Sequence, residues 1–209
     1  MIFRENIMKR FTLLMITAML LVSGAAYSQS ISGAATGDPV RDIRLMLTAP
    51  DNGMFEFWST DEIVNAVIEI YYNDPVDADF HEQVVYGAVV LAGKTGDDRV
   101  LDMLIDAIDT HPTAALYALG NFPNVKALNA LVGSIRLEDP SARENAAEGL
   151  RMMGAPSEIE DVDAWVAALD HGIAELTSWI AVEPEWDVKE YFQDARGNLQ
   201  LMRQKALSH

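Results

Sequence analysis

The feature of this sequence that most constrains its fold is a pattern of apolar residues that recurs three times around a glycine. The copies align on Gly93, Gly120 and Gly154, which lie 27 and 34 residues apart. In every copy, apolar residues stand four and one residues before the glycine, and eight, eleven, twelve and fifteen residues after it. Spacings of three and four place side chains on one face of a helix. Each copy is therefore predicted to be a helix, a turn marked by glycine, and a second helix.

The same pattern predicts the fold class. Glycine suits the turn because it readily takes the left-handed conformation that often ends a helix. No segment shows sustained alternation of apolar and polar residues, so no β-strand is predicted. Stacked helix pairs bury their apolar faces against neighbouring pairs. We therefore predict an all-α fold, a short right-handed α-solenoid whose clearest repeats lie in residues 80–170.

Three segments of this region resemble a known family. Residues 114–120 (AALYALG) and 146–154 (AAEGLRMMG) resemble the A-x-x-A-L-G helix of HEAT repeats. Residues 137–147 (LEDPSARENAA) are similar to the signature of the short bacterial, lyase-type HEAT-like repeats, with Asp139 and Arg143 as its characteristic Asp–Arg pair. The resemblance implies a helical-repeat architecture and no particular activity, because a fold does not by itself define a function.

Helices are also predicted on both sides of the repeats. Asp38 is expected to cap one helix, and Ser59–Glu62, which has the Ser-x-x-Glu form of a capping box, to begin another. After the repeats we expect one more helix around Leu176. A long helix, residues 184–207, then follows as an atypical cap for the exposed end of the solenoid. Residues 38–209 are thus predicted to form a single helical-repeat domain.

The amino-terminal segment has the features of a secretory signal peptide, residues 1–28. A cationic start precedes the apolar run Phe11–Val22, which is too short to span a bilayer comfortably, and small residues follow it. Cleavage is expected before Gln29, with a cut after Ala26 as the alternative. Residues 29–37 are small, polar and Gly-rich, which is typical of a flexible leader. An exported protein, periplasmic or secreted, is therefore expected; an uncleaved amino-terminal anchor is the competing interpretation.

Charge and cysteine content exclude several kinds of partner and site. The chain of 209 residues has a formal net charge of −17, which becomes −19 when residues 1–28 are removed, whether translation starts at Met1 or Met8. Nucleic acid is excluded as a partner, because phosphate binding needs a cationic surface. The absence of cysteine excludes disulfides, thiol catalysis and zinc–thiolate or iron–sulfur sites. No later segment of the sequence resembles a membrane span.

Residues that could carry chemistry are few. His81, His111 and His171 each follow an Asp near a predicted helix start, so aligned turns could bind a divalent metal. Their positions relative to the repeat glycines differ, however, so histidines at the surface are the preferred interpretation. Hydrolase, metalloprotease, phosphate-binding and dinucleotide-binding motifs are absent, and no acidic cluster has the spacing of an EF-hand. No metal, cofactor or catalytic residue is predicted.

Aromatic residues give the strongest binding signal. Phe57 and Trp58 in a predicted loop, and Trp186 near a predicted helix start, are candidate partner contacts, because Trp is a favoured interface anchor. Packing of the amino-terminal segment onto the first helices is the alternative for the loop residues. The acidic charge favours a partner with a basic segment.

The expected function is a non-catalytic protein- or peptide-binding or scaffolding module. The alternative is an enzyme, or a module binding metal or small molecules, that uses carboxylates and histidines.

Overall fold

A computed structural model of the protein describes four stretches of the chain: residues 37–48, 58–73, 84–85 and 97–208. Every regular element within these stretches is a helix, and no strand occurs among them. The prediction of an all-α protein is therefore confirmed for the described residues. None of the helices in these ranges is long and apolar enough to cross a membrane.

Several features predicted from the sequence lie outside the described residues. They are the signal peptide of residues 1–28, the leader as far as residue 36, Phe57, His81 and Gly93.

Eight α-helices have defined ends in the described stretches. They are α1 Pro39–Thr48, α2 Thr60–Asn73, α3 Asp98–Asp106, α4 Pro112–Leu119, α5 Val125–Ser134, α6 Pro140–Met152, α7 Val162–Val182 and α8 Trp186–Ala206. A short 3-10 turn, Ala107–Asp109, follows α3. The chain divides into two compact units, Met1–Ile70 and Tyr71–His209. Helix α1 and most of α2 belong to the first unit, and α3 to α8 belong to the second.

The two helices described in the first unit begin as the sequence predicts. The Asp38 side chain accepts a hydrogen bond from the Arg41 amide at 3.2 Å. The Ser59 amide donates to Glu62 Oε2 at 2.9 Å, and the Glu62 amide donates to Ser59 Oγ at 3.3 Å. Hydrogen bonds from the Ser59 side chain and amide hold the pKa of Glu62 below its ordinary value. The predicted capping box is therefore confirmed, and it satisfies amides that a helix start leaves without partners.

Most helices of the second unit also begin at a capping side chain. In each case an Asp or Asn oxygen accepts a hydrogen bond from the backbone amide two or three residues further on. The capping residues are Asp97 for α3, Asn124 for α5, Asp139 for α6 and Asp161 for α7.

The helices of the second unit pack in two alternating sets. Helix α6 lies between α4 and α8, whereas α5 packs on both α3 and α7. The two sets also contact each other, with α5 against α6 and α7 against α8. Their apolar sides meet in a core that includes most of the described repeat positions: Leu101, Leu104, Leu116, Leu119, Leu128, Leu131, Val132, Ile135, Leu150, Met153, Trp165 and Leu169 are all buried.

Helices α4 and α6 run in the same direction, and so do α5 and α7. Near their starts, Asn145 Nδ2 of α6 donates to Thr113 Oγ1 of α4 at 3.4 Å, and the carboxyl-terminal halves of these two helices also meet. In the other set, Arg136 just after α5 pairs with Glu175 of α7 at 2.5 Å. A Cβ added to Gly172 of α7 would lie 3.1 Å from Val132 of α5. In each of these two pairs, residues further along one helix therefore contact residues further along the other, as parallel helices do.

Gly120 ends α4, but the reason predicted for it is wrong. Its φ is −60°, a right-handed value, so no left-handed conformation requires glycine there. The constraint is close contact between backbones, because a Cβ on Gly120 would lie 2.8 Å from the carbonyl oxygen of Gly149. A Cβ on Gly149 would in turn lie 2.7 Å from the carbonyl oxygen of Leu116. Gly154 has neither a positive φ nor an atom within 4 Å of an added Cβ.

Three predictions about the carboxyl-terminal helices need correction. The separate helix expected around Leu176 is continuous with the preceding one, so that α7 has 21 residues. Gly172 lies within this helix and packs closely against α8, because an added Cβ would lie 2.8 Å from Leu199 Cδ1. Val162, a predicted core position, is 40% exposed at the first turn of this helix. The last helix begins at Trp186, two residues later than expected, because residues 183–185 form the turn before it.

Candidate binding surface

The turn between α7 and α8 is fixed by a buried ion pair. Arg143 of α6 donates from Nε to Glu183 Oε2 and from Nη2 to Glu183 Oε1, both at 2.8 Å. The side chains of Arg143 and Glu183 are only 8% and 0% exposed. Two parallel hydrogen bonds between a guanidinium and a carboxylate give both strength and a fixed orientation. The first residue of the turn is therefore held against the start of α6.

The remaining polar atoms of this pair are also hydrogen-bonded. Arg143 Nη1 donates to the carbonyl oxygens of Leu137 at 3.0 Å and of Glu138 at 2.8 Å. The Glu185 amide donates to Glu183 Oε1 at 3.1 Å. A buried ion pair is tolerated when further hydrogen bonds of this kind replace water. We call this arrangement the Arg143–Glu183 latch.

The latch sets the charge of Glu183. Burial by itself would raise the pKa of this carboxyl group. Hydrogen bonds from Arg143 and the Glu185 amide, together with the positive charges of Arg143 and Lys189, outweigh burial and leave the pKa below its ordinary value. Glu183 is therefore ionised at neutral pH although water does not reach its side chain.

A second attachment holds α8 to the other end of α6. Asn198 Nδ2 of α8 donates to the carbonyl oxygen of Leu150 at 2.8 Å and to that of Met153 at 2.9 Å. The last carbonyl groups of a helix lack partners within the helix, so this side chain satisfies two of them. The first half of α8 is thus fixed to α6 at both ends.

Two large apolar side chains project from this fixed turn into solvent. Val182 ends α7, Trp186 begins α8, and each is 68% exposed. By contrast, Trp165 in the core of the same unit is 2% exposed. Val182 and Trp186, together with the exposed acidic residues between and beside them, form a surface defined by Val182, Glu185, Trp186, Asp187 and Glu190. We call it the turn surface.

The turn surface is acidic. Glu185, Asp187 and Glu190 are all exposed, and Glu190 lies one helical turn beyond Trp186 on the same face of α8. Lys189 is the basic residue among them; it is half-buried, and its charge acts on Glu183. Most other cations of this unit already have carboxylate partners: Arg99 with Asp97, Lys126 with Asp102, Arg136 with Glu175, Arg151 with Glu148, and Arg203 with Asp170.

Trp58, Asp139 and Arg143, which the sequence also indicated as candidates, take part in packing or in hydrogen bonds within the fold. Trp58 is half-buried, and its indole Nε1 is buried without a hydrogen-bond partner among the described residues, which favours packing over partner contact. The side chain of Asp139 caps α6 by accepting from the Ser141 amide, while Arg143 pairs with Glu183.

The histidines that the structure describes do not form a metal site. The Nδ1 atom of His111 lies 2.9 Å from Thr110 Oγ1, and His171 is exposed on α7. No group of three His, Cys, Asp or Glu side chains within the described stretches is arranged to hold a metal ion.

One shallow depression of about 400 Å³ lies between α7 and the end of α8. Its lining is Asp170, Ile173, Gln200, Arg203, Gln204 and Leu207. The two charged groups in this lining pair with each other. The depression therefore offers no uncompensated charge to a ligand.

Sequence reasoning placed Arg143 in a helical signature but missed its partner, Glu183. The sequence does indicate that Arg143 needs a carboxylate partner, because this residue lies between Ala142 and Ala146 on the buried side of α6. A guanidinium on an apolar helix face needs a carboxylate. Forty residues separate the two, so the choice of carboxylate depends on the fold.

Protein-family models, curated proteins and solved structures were all compared with the chain, and none of them matches it.

Proposed function

We propose that residues 97–206 form a short right-handed HEAT-like α-solenoid, and that the protein is an exported, non-catalytic module that binds a protein or peptide partner. The observation that carries the proposal is the pair of alternating helix sets. Helices α4, α6 and α8 form one set and α3, α5 and α7 the other. Stacked helical repeats require every second helix to contact the next of its set and to run in the same direction.

The outer side of α8 supports its role as the cap of this stack. Its buried side faces α6 and α7, whereas its exposed residues are mostly polar. The exposed polar residues of this helix are Asp187, Glu190, Gln193, Asp194, Gln200, Gln204 and Lys205. Terminal repeats need such a polar outer surface because no further repeat covers them.

A binding role fits the surface better than catalysis does. The turn surface offers exposed apolar area with acidic groups around it, while the depression between α7 and α8 has its charges paired. Residues 97–208 contain twenty Asp and Glu against nine Lys and Arg, so their field attracts cationic partners. The predicted signal peptide supports export, with Gln29 as the first residue of the mature chain.

An array of short peptides tests this function. The mature chain would be titrated against peptides of one length that combine basic, neutral or acidic residues with zero, one or two aromatic residues. We expect the basic aromatic peptides to bind most tightly, because they complement both the charge and the exposed apolar area. Equal binding of all charge classes, or no binding of any peptide, would contradict the proposal.

A further inference from the structure

We infer that the turn surface is the docking site of this module, and that its occupant is a flexible protein segment in which Lys or Arg flank an aromatic or aliphatic side chain. The inference rests on the proposed binding function and adds the location and the chemistry of the partner. Three observations carry it: buried contacts hold the turn, the turn exposes an apolar anchor, and exposed carboxylates lie within four residues of that anchor.

Rigidity comes from contacts on two sides of the turn. The Arg143–Glu183 latch holds the residue next to Val182, and Asn198 holds α8 three turns beyond Trp186. A site that is already ordered loses little conformational entropy when a partner binds. The turn surface therefore presents its side chains in one arrangement before the partner arrives.

The anchor is the exposed face of Trp186. Trp and Arg are enriched among residues that dominate binding energy, and an aromatic ring attracts the cations of Lys and Arg. Val182 adds apolar area on the other side of the turn. An apolar side chain of the partner can cover this area, and its flanking cations can lie over the indole face.

The carboxylates decide the class of partner. Glu185, Asp187 and Glu190 lie within four residues of Trp186 and are exposed. Anionic lipid headgroups and nucleic-acid phosphates would be repelled by these groups, whereas a basic protein segment is attracted. The arrangement therefore favours a cationic polypeptide.

The test uses a fluorescent peptide of four lysines and two phenylalanines, titrated into the mature chain and its variants. Trp186→Ala is expected to weaken binding by at least tenfold, as truncation of an interface anchor does. The matched control is Leu201→Ala, because Leu201 is 50% exposed on the same helix but lies four turns away. The Leu201→Ala variant should bind the peptide with the affinity of the wild type. All variants should keep the wild-type melting temperature.

A second pair of variants separates the local carboxylates from net charge. Glu185→Gln, Asp187→Asn and Glu190→Gln are combined in one variant; Glu158→Gln, Glu160→Gln and Asp163→Asn, all exposed near the start of α7, form the control. Both lose three negative charges, and only the first is expected to weaken binding several-fold.

The outcomes distinguish the docking site from the function. If the peptide binds but Trp186→Ala has no effect, or if both triple variants weaken binding equally, the turn surface is not the docking site, although the module still binds basic peptides. If the peptide does not bind the wild type, the proposed function itself fails. Tighter binding to anionic vesicles than to the peptide would also overturn the inference.

Discussion

Replacing Arg143 with alanine is expected to lower the free energy of unfolding by about 3–5 kcal/mol, the usual effect of removing one partner from a buried ion pair. Without the guanidinium, the fully buried carboxylate of Glu183 keeps only the Glu185 amide as a hydrogen-bond donor. The carbonyl oxygens of Leu137 and Glu138 lose their donor as well. Urea unfolding of the mature chain, followed by circular dichroism, measures the change.

Arg151→Ala is the matched control for this prediction. Arg151 also lies in α6 and pairs with a carboxylate, Glu148, but its side chain is 44% exposed. An exposed pair contributes about 0.2–1 kcal/mol, so this variant should unfold nearly as the wild type does. Similar urea midpoints for the two arginine variants would mean that the latch is not buried as described.

The latch also predicts a dependence of stability on pH. The pKa of Glu183 is below its ordinary value in the folded protein. A group with a depressed folded-state pKa stabilises the fold above its unfolded-state pKa, about 4.3 for Glu, and this contribution disappears as pH falls through the folded-state value. The difference in unfolding free energy between the wild type and Glu183→Gln should therefore be constant near neutral pH and shrink below about pH 4.3. A difference that stays the same down to the lowest measurable pH would contradict the assigned ionisation.

Gly149→Ala is expected to destabilise the fold by about 1–3 kcal/mol, because the added methyl group overpacks the contact between α4 and α6. The new Cβ would lie 2.7 Å from the Leu116 carbonyl oxygen and 2.8 Å from Leu131 Cδ2. The side chain of Leu131 has other rotamers, but the Leu116 carbonyl is part of the α4 backbone, so the two helices must move apart. Urea unfolding again gives the measurement.

Gly133→Ala provides the opposite expectation at an exposed position of the same unit. Gly133 lies inside α5, and an added Cβ would meet no atom within 4 Å. Alanine in an open helical position is about 0.5–1 kcal/mol more favourable than glycine, so this variant should be more stable than the wild type. If both alanine variants were stabilised, the close contact between α4 and α6 would not exist.

Local features of the fold follow from the sequence because they depend on neighbouring residues. The capping box at Ser59 and the helix start at Asp38 need only side chains within three residues. The buried apolar positions follow from helical spacing, which fixes the inward face. These features were predicted without knowledge of any tertiary contact.

Features that depend on distant residues were not predicted. Glu183 was missed because it lies 40 residues from Arg143. The role of Gly149 was missed because only the crossing of α4 and α6 creates it. The continuity of α7 through residues 162–182 was not predicted either, since a separate helix was expected around Leu176.

The candidate site was predicted in part. The sequence indicates Trp186 as a candidate contact because an aromatic residue near a helix start can contact a partner, and in the structure this side chain is strongly exposed. The sequence does not indicate Val182, because its position at the end of α7 depends on where that helix stops. Trp58 has a similar sequence setting but is half-buried, so sequence alone does not separate anchors from packing residues.

The rate of association with the basic aromatic peptide, measured at increasing salt, tests the central claim most directly. If the acidic module steers a cationic partner, the association rate should fall steeply between low and physiological ionic strength. At physiological ionic strength the Debye screening length is about 8 Å, so exposed charges no longer attract a distant partner. The dissociation rate should change much less, because it depends on short-range contacts such as those of Trp186. An association rate that is independent of salt would contradict the claim that this protein recruits basic partners through its charge.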